Sequence, residues 1–181
     1  HFNGVAVEAN DALRQAASEF LGSASAWLAN CPTEGLPPLR QWLSEWMGAV
    51  GIHTTPDHIL ITTGATQSLD LIARAFIEPD DAVVVEMTTP LGAYQRFHDA
   101  RARLIGVPLD SGGMRVDTLE DALNRGRPKF IYTLPTFQNP TGLTLEETRR
   151  AELLRLAGDY GVPIVEDDPY SALSYEGAAP L

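Results

Sequence analysis

The chain has 181 residues, enough for one domain with a substantial core, and its composition is that of a globular protein, with 44% hydrophobic and 20% charged residues. Acidic residues outnumber basic ones by 24 to 13, and the net charge of −11 argues against binding to a nucleic-acid backbone. The single cysteine, Cys31, excludes an internal disulfide, and no apolar run approaches the roughly 20 residues of a membrane span. We therefore expect a cytoplasmic protein. This segment is expected not to bind nucleic acid, and the protein is expected not to bind a membrane.

Two helices are predicted at the start of the chain. Apolar residues recur at helical spacing from about Asp11 to Leu28, and a second helix is predicted from Pro37 to Val50, with proline at its first position. We expect residues 1–50 to form a helical N-terminal lead-in and residues 51–181 to form a larger domain.

Strands and helices then alternate along the chain. Short apolar strands are predicted at residues 58–62, 82–86, 103–107, 130–133 and 163–166, and the helices between them at residues 65–76, 91–100, 116–124 and 145–160. Thr144 and Glu147 have the spacing of a capping box, which predicts the start of the last helix. Apolar strands separated by helices indicate an α/β fold, with a mostly parallel sheet sandwiched by helices.

Ligands of such sheets bind beyond the carboxyl ends of the strands, and three strand ends here carry suitable residues. The first is the segment TTGATQ, residues 62–67, where Gly64 permits a tight turn before a helix begins. Free N–H groups at the helix start, with a hydroxyl from Thr63 or Thr66, suit a phosphate group. An ordinary glycine-containing turn explains the segment as well, and the glycine motifs of nucleotide-binding loops are absent.

The second strand end is the stretch YTLPTFQNPTG, residues 132–142, which leaves a predicted strand and then opens a helix. Pro140 and Gly142 fix the turn, and the amide of Asn139 can donate a hydrogen bond to an anionic oxygen. Asparagine also often caps its own turn, so the stretch alone leaves both interpretations open.

The third strand end carries three consecutive carboxylates, Glu166, Asp167 and Asp168, followed by Tyr170. Carboxylates at the end of an apolar strand are costly unless a cation is near or the loop is solvated. An aspartate three residues before a tyrosine can place a carboxylate and a phenol around one small ring. Histidines with the spacing of a zinc or iron site are absent, so we predict no such metal; a magnesium site would lack a phosphate-transfer motif beside it.

Together these segments resemble the class I/II aminotransferases, the fold type I enzymes that use pyridoxal 5′-phosphate (PLP). The likeness is greatest to the branch with 2-aminoadipate and kynurenine aminotransferases and to the aminotransferase-like domain of GntR-type regulators. The matching segments follow the order and spacing of the family: residues 32–40, 59–71, 135–142 and 165–170. The resemblance implies that residues 51–181 are part of the PLP-binding large domain, and that the chain is a fragment ending before the lysine that binds PLP covalently.

The resemblance also implies a role for each strand end. Asp167, in preference to Asp168, would pair with the protonated pyridine nitrogen of PLP, whose charge makes the ring an electron sink. The catalytic residues would be Asp167 and Tyr170. The other implied contacts are a phosphate site at Gly64, Ala65 and Thr66, and hydrogen bonds from Asn139 and Tyr170 to the phenolic oxygen of the ring.

The sequence departs from the family pattern at several places. Lys129, the only lysine, precedes a predicted strand and so lies at the wrong edge of the sheet, and the arginine that binds the substrate carboxylate is missing. Pro90 occupies the place of a ring-stacking tyrosine, for which Tyr94 is a candidate substitute. Asn30 occupies the place of a tyrosine that reaches the phosphate of a neighbouring subunit. We therefore expect this chain by itself not to transaminate.

The resemblance implies a full-length parent that exchanges an amino group between an amino acid and a 2-oxo acid and forms a homodimer. Three alternatives stay open. The first is a PLP-dependent carbon–sulfur lyase or decarboxylase, because an aspartate at the pyridine nitrogen serves these reactions equally. The second is a protein that is not an enzyme, either the effector-sensing domain of a GntR-type transcription regulator or a degenerate PLP-binding relative. The third is a plain nucleotide-binding domain.

Overall fold

A computed structural model of the chain describes residues 7–23 and 31–174. By contacts between its residues the chain divides into two compact units, residues 1–61 and 62–181. The division into a lead-in of residues 1–50 and a PLP-binding domain of residues 51–181 stays a prediction. Within the described ranges, every helix is too short or too polar to cross a membrane.

The described part of the first unit is helical. Helix α1 covers Val7–Ser23, helix α2 covers Pro37–Ala49, and a 3-10 turn covers Pro56–His58. Residues 24–28, which were predicted to continue the first helix, lie outside the described residues, as does Asn30. The guanidinium of Arg40 donates two hydrogen bonds to the carbonyl of Pro56, at 2.9 and 2.6 Å, and so ties α2 to the turn.

The predicted strand at residues 58–62 is wrong. The 3-10 turn takes His58, and the following residues are extended but belong to no sheet of the described chain. The N–H of Ile61 donates instead to the carbonyl of Glu34 at 2.9 Å. An apolar extended segment becomes a strand only where another strand lies beside it, and here a loop provides the partner.

The second unit alternates strands and helices, as predicted. Its helices are α3 (Ala65–Phe76), α4 (Leu91–Asp99), α5 (Leu119–Gly126) and α6 (Glu147–Tyr160). Its strands are β1 (Ala82–Glu86), β2 (Arg103–Val107), β3 (Leu109–Asp110), β4 (Gly113–Met114), β5 (Ile131–Thr133) and β6 (Ile164–Glu166). Two further 3-10 turns cover Val116–Thr118, at the start of the helix predicted from residue 116, and Ser171–Leu173.

Four parallel strands form the sheet in the order β2-β1-β5-β6. The predicted α/β fold with a parallel sheet between helices is therefore confirmed. The short antiparallel hairpin of β3 and β4, which was not predicted, lies between β2 and α5 in the chain.

Alternating residues of each strand face two different helical layers. On one face Val83, Val85, Phe130 and Tyr132 pack with α3 and α4, and we call it the α3/α4 face. On the other, the α5/α6 face, the core is formed by Val84, Ile131 and the apolar residues of α5 and α6. This alternation decides which face each side chain at a strand end occupies.

The predicted capping box at the start of α6 is wrong. The helix begins at Glu147 after Glu146, without a hydrogen bond from a capping side chain. The hydroxyl of Thr144 instead accepts the N–H of Phe137 at 3.3 Å. Thr144 therefore stabilises the loop between β5 and α6 rather than the helix.

Candidate functional site

The carboxyl ends of β1, β5 and β6 lie at one edge of the sheet. The register pairs Val85 with Tyr132 and Thr133 with Glu166, and the N–H of Asp167 donates to the carbonyl of Thr133 at 3.0 Å. The segments after β5 and β6, which carry the predicted site residues, therefore leave the sheet at the same edge. This edge is where ligands bind in open parallel sheets.

Asp167 is held in place by a buried tyrosine. Its side chain lies on the α3/α4 face, where the hydroxyl of Tyr132 donates to Oδ2 at 2.8 Å. Tyr132 is fully buried and packs edge-to-face against Phe97. Burial, and then the neighbouring carboxylate of Asp167, raise the pKa of Tyr132, so the phenol stays protonated and acts as a donor. The other oxygen of Asp167 has no hydrogen-bond partner among the described residues.

The adjacent Asp168 has a different environment. It is exposed, and its two carboxylate oxygens accept the N–H of Ser171, at 3.0 Å, and the hydroxyl of the same residue. Asp168 thus accepts both donors of Ser171, the first residue of the 3-10 turn that follows. Tyr170 lies between these groups and is half-buried, and its carbonyl accepts the N–H of Leu173 at 2.8 Å.

The start of helix α3 presents free backbone donors. Gly64 precedes the helix with φ +84° and ψ 167°, a conformation that is essentially restricted to glycine, and the helix begins at Ala65. The N–H groups of Ala65 and Thr66 precede the first helical hydrogen bond, and the first turn has no acidic residue to compete for them. The side chains around them are exposed, which leaves the positive end of the helix dipole open to an anion.

Helix α3 directs this start toward the same edge of the sheet. Leu69 and Ala73 pack with Tyr132 on the α3/α4 face, and the helix ends at Phe76, shortly before β1 begins at Ala82. The helix therefore runs opposite to the strands, and its N-terminus lies toward their carboxyl ends. Asp167 and the donors of the helix start share this face.

Asn139 is exposed on the loop that leaves β5. Its side chain has no hydrogen bond within the described part of the chain, so the interpretation that Asn139 caps its own turn does not hold. The turn is stabilised by the preceding residue, since Oε1 of Gln138 accepts the N–H of Thr141 at 3.1 Å and its hydroxyl at 2.6 Å. The amide of Asn139 is thus available to a ligand.

The sequence analysis missed a buried polar cluster at the same edge, on the α5/α6 face. Oε1 of Glu86 accepts the hydroxyl of Thr133 at 2.6 Å and the N–H of Leu134 at 3.2 Å, and Oε2 accepts Nε2 of Gln138 at 2.9 Å. Burial raises the pKa of Glu86, while these donors oppose the rise. Only the position of Glu86 at the end of a wholly apolar strand signals this role in the sequence.

Two departures from the family pattern can be located in the structure. Lys129 lies at the opposite edge of the sheet, where its N–H donates to the carbonyl of Ala82 at 2.8 Å and its ammonium is 3.2 Å from Asp81. Pro90 directly precedes α4, and Tyr94, which is 44% exposed, stacks on His98 with ring centroids 5.7 Å apart.

Groups of acidic, histidine or cysteine residues that could hold a metal ion are not found in the described ranges.

Comparison with known proteins is consistent with this arrangement. Residues 5–180 match the family described as Aminotransferase class I and II. The chain belongs to this family. The aromatic-amino-acid aminotransferase 1 of Thermococcus litoralis is 46% identical over 151 residues, and the 2-aminoadipate transaminase of Thermus thermophilus is 41% identical over 150 residues. These matches cover 80% and 83% of this chain, but the chain spans only 36% of either relative.

Solved aminotransferase structures share the fold. The kynurenine aminotransferase of Pyrococcus horikoshii, in complex with PMP, superposes with a TM-score of 0.87 at 41% identity, over 93% of this chain and 43% of that protein. LysN, the α-aminoadipate aminotransferase of Thermus thermophilus, gives 0.86 at 35% identity, over 94% and 43%. An HTH-type transcriptional regulator of Bacillus subtilis is also related, with 33% identity over 147 residues, 81% of this chain and 30% of the regulator.

Proposed function

We propose that the full-length protein is a PLP-dependent aminotransferase, and that this chain supplies part of its cofactor site. The observation that carries the proposal is the carboxylate of Asp167. A buried phenol orients one of its oxygens, and the other is available at the edge of the sheet where the uncapped helix α3 begins. Membership of the class I and II aminotransferases supports the same conclusion.

The residues at this edge fit PLP by the chemistry of their donors and acceptors. The N–H groups of Ala65 and Thr66, with the hydroxyl of Thr66, would bind the phosphate at the positive end of α3. Gly64 would permit the turn that exposes them. The amide of Asn139 and the hydroxyl of Tyr170 would donate to the phenolic oxygen of the ring.

Asp167 would accept a hydrogen bond from the pyridine nitrogen. Bound PLP supplies an electron sink for the carbanion that forms at the amino-acid substrate. A neighbouring carboxylate favours the protonated form of a nitrogen base, so Asp167 would hold the proton at that atom. Tyr132 would keep the carboxylate oriented toward the ring. The adjacent Asp168 is occupied by Ser171 and is not assigned this role.

The substrates that we propose are an amino acid, as amino donor, and a 2-oxo acid, as acceptor. Aromatic amino acids and 2-aminoadipate are the first donors to test, because two relatives are named for them. The ammonium of Lys129 is paired with Asp81 at the far edge of the sheet, so an amine base for proton transfer would have to come from outside the described residues. We also propose that the full-length protein is a homodimer, as the family resemblance implies. The cytoplasm is the proposed location, supported by the single cysteine.

A regulatory function is the second candidate, favoured by the similarity to the Bacillus subtilis transcriptional regulator. In that case the same residues would bind PLP as part of an effector-sensing domain. A PLP-dependent lyase or decarboxylase would use Asp167 in the same way, so the described site does not separate these reactions.

Product analysis of the full-length protein tests the proposal. The protein is incubated with PLP, an aromatic amino acid or 2-aminoadipate, and 2-oxoglutarate. We expect glutamate and the 2-oxo acid of the donor in equal amounts, without ammonia or carbon dioxide. Release of ammonia would indicate a lyase and release of carbon dioxide a decarboxylase. PLP binding without turnover, together with binding to DNA, would indicate a regulator.

A further inference from the structure

The buried cluster beneath the loop of Asn139 has no part in the function proposed above. Glu86, Thr133 and Gln138 are 2%, 1% and 3% exposed, so all three polar side chains are shielded from water. Glu86 ends β1 and Thr133 ends β5, which means that two neighbouring strands end in the same hydrogen-bond network. Buried polar groups destabilise a protein unless they are paired, and every oxygen of the Glu86 carboxylate is paired here.

The amide of Gln138 can take only one orientation in this network. Its Nε2 donates to Oε2 of Glu86 at 2.9 Å and to the carbonyl of Thr88, and its Oε1 accepts the N–H of Thr141 at 3.1 Å. A flipped amide would place its oxygen against two acceptors and its NH₂ group against the N–H of Thr141. The partners on both sides therefore determine the orientation of Gln138.

Gln138 in turn shapes the turn of residues 138–143. Its N–H donates to the carbonyl of Leu143 at 2.8 Å, and its carbonyl accepts the N–H of Gly142. Its side chain accepts both donors of Thr141. Asn139 is the next residue and is exposed, so its direction is determined by the neighbouring backbone.

We propose that Glu86 is a positioning residue, which acts through Gln138 to hold the turn of residues 138–143 so that Asn139 points to the ligand at the carboxyl edge of the sheet. The identity of that ligand rests on the proposed function. The stabilisation of the turn by Glu86 is inferred from the hydrogen bonds of Glu86 and Gln138 and does not depend on which ligand binds.

A carboxylate is required at position 86 because every partner of Glu86 is a hydrogen-bond donor. In Glu86→Gln the new amide still accepts from Thr133 and Leu134, but its NH₂ group then faces the NH₂ group of Gln138. Neither amide can flip without the loss of another bond. The substitution therefore removes the link to the turn while the shape of the side chain stays the same.

Hydrogen–deuterium exchange of the full-length protein without PLP tests the hold directly. In Glu86→Gln we expect the amides of Thr141, Gly142 and Leu143 to exchange about tenfold faster than in the wild type, because one hydrogen bond to a charged group has been lost. The matched control is Glu166→Gln, which makes the same change on the same face at the end of β6, where the glutamate side chain forms no hydrogen bond with the turn in the described part of the chain. Equal exchange in Glu86→Gln and the wild type would overturn the proposal.

A reversed pair distinguishes positioning from a general loss of packing. Gln138→Glu alone sets two carboxylates against each other and should speed exchange further than Glu86→Gln. The double variant Glu86→Gln with Gln138→Glu restores one donor opposite one acceptor, and the carboxylate at position 138 still accepts from Thr141. The bond from position 138 to the carbonyl of Thr88 is lost in both variants that carry Gln138→Glu, so we expect the exchange of the double variant to be slower than in Gln138→Glu alone. Exchange as fast as in Gln138→Glu alone would contradict the proposed pairing.

PLP titration then connects the turn to Asn139. We expect Glu86→Gln to weaken PLP binding about tenfold in a protein that retains Asn139. The reason is that the displaced turn would no longer place Asn139 to donate its hydrogen bond to PLP. In the background of Asn139→Ala the same substitution should have no further effect. Full additivity of the two losses would show that Glu86 does not act through Asn139. If wild-type protein bound no PLP, the proposed function would be wrong, while the exchange experiment would still decide the positioning role.

Discussion

Two carboxylates at the same edge of the sheet differ in what surrounds them. Glu86, on the α5/α6 face, is buried and accepts hydrogen bonds from Thr133, Leu134 and Gln138. Asp167, on the α3/α4 face, is half-buried and accepts one side-chain hydrogen bond, from Tyr132. The faces differ because the side chains of a strand alternate, and Glu86 and Asp167 fall on opposite sides of that alternation.

The difference separates a structural carboxylate from one that can bind a ligand. A buried carboxylate whose oxygens are all paired has no free acceptor, and its removal leaves unpaired donors in the protein interior. A carboxylate that is oriented by one donor and has a free oxygen can accept a proton donor from a ligand. Loss of Glu86 should therefore destabilise the protein and affect PLP only through the turn of Asn139, whereas loss of Asp167 should act on PLP binding directly.

The largest effect is expected on the α5/α6 face. Glu86→Ala leaves the donors of Thr133, Leu134 and Gln138 without an acceptor, and we expect the free energy of unfolding to fall by about 3 kcal/mol. Urea denaturation of the full-length protein measures the loss. Glu166→Ala, an exposed glutamate on the same face, should change stability by less than about 0.5 kcal/mol. Equal losses in the two variants would contradict the structural role of Glu86.

The start of α3 tests the α3/α4 face. Gly64 has φ +84°, so Gly64→Ala should cost about 1–3 kcal/mol of backbone strain, or shift the helix start that would bind the phosphate. PLP titration and thermal unfolding both report the change. Gly158→Ala is the matched control: it lies in α6, where alanine should stabilise the helix by about 0.5–1 kcal/mol and leave PLP affinity unchanged. An unstrained, fully stable Gly64→Ala would exclude the described turn.

A smaller effect is expected when the donor to Asp167 is removed. Tyr132→Phe loses one hydrogen bond to a half-exposed carboxylate, and we expect about 1 kcal/mol of stability to be lost and PLP to bind about fivefold more weakly. Tyr160→Phe removes a similar bond, to Glu120 at 3.1 Å, at the surface of the α5/α6 face. PLP affinity should be unchanged in that control. A loss of stability with unchanged PLP affinity in Tyr132→Phe would separate Tyr132 from the site.

The contributions of Glu86 and Asp110 to stability should change in opposite directions with pH. Burial raises the pKa of Glu86 above its ordinary 4.5, so its contribution is greatest below pH 4.5 and falls as the pH rises through the raised pKa. Arg149 lowers the pKa of Asp110 below 3.8, so that contribution is present above pH 3.8 and is lost as the pH falls through the lowered pKa. Denaturation of Glu86→Gln and Asp110→Asn against pH checks both directions. The same sign in both variants would contradict the described environments.

Much of the fold could be predicted because its signals are local. Strands β1 and β2 have the predicted bounds. The continuous apolar residues of β1 mark a strand that is buried on both faces, whereas in β2, at the edge of the sheet, only Ile105 and Val107 are buried. The predicted strand at residues 58–62 was wrong because strand formation depends on a neighbour that local sequence does not specify. The hairpin of β3 and β4 was missed because two-residue strands carry no periodic pattern.

The candidate site could be predicted in part for a similar reason. Asn139 and Asp167 come after β5 and β6, and the ends of parallel strands meet at one edge. Gly64 was expected to follow a strand that does not form, but its position just before α3 was predicted. The link from Glu86 to Gln138 joins residues 52 positions apart, so it could not be read from either segment alone. Thr144 had the spacing of a capping residue, but its hydroxyl accepts the N–H of Phe137 instead of a helix N–H. A contact with another part of the loop, which the local pattern does not show, therefore replaces the cap.

The protonation state of the PLP ring nitrogen tests the central claim most directly. The full-length wild-type protein, Asp167→Asn and Asp168→Asn are each loaded with PLP labelled with ¹⁵N in the ring, at a pH where the ring nitrogen of free PLP is unprotonated, and compared by NMR. We expect the chemical shift of a protonated nitrogen in the wild type and in Asp168→Asn, and of an unprotonated nitrogen in Asp167→Asn. A nitrogen that stays protonated in Asp167→Asn, or that loses its proton only in Asp168→Asn, would contradict the role assigned to Asp167.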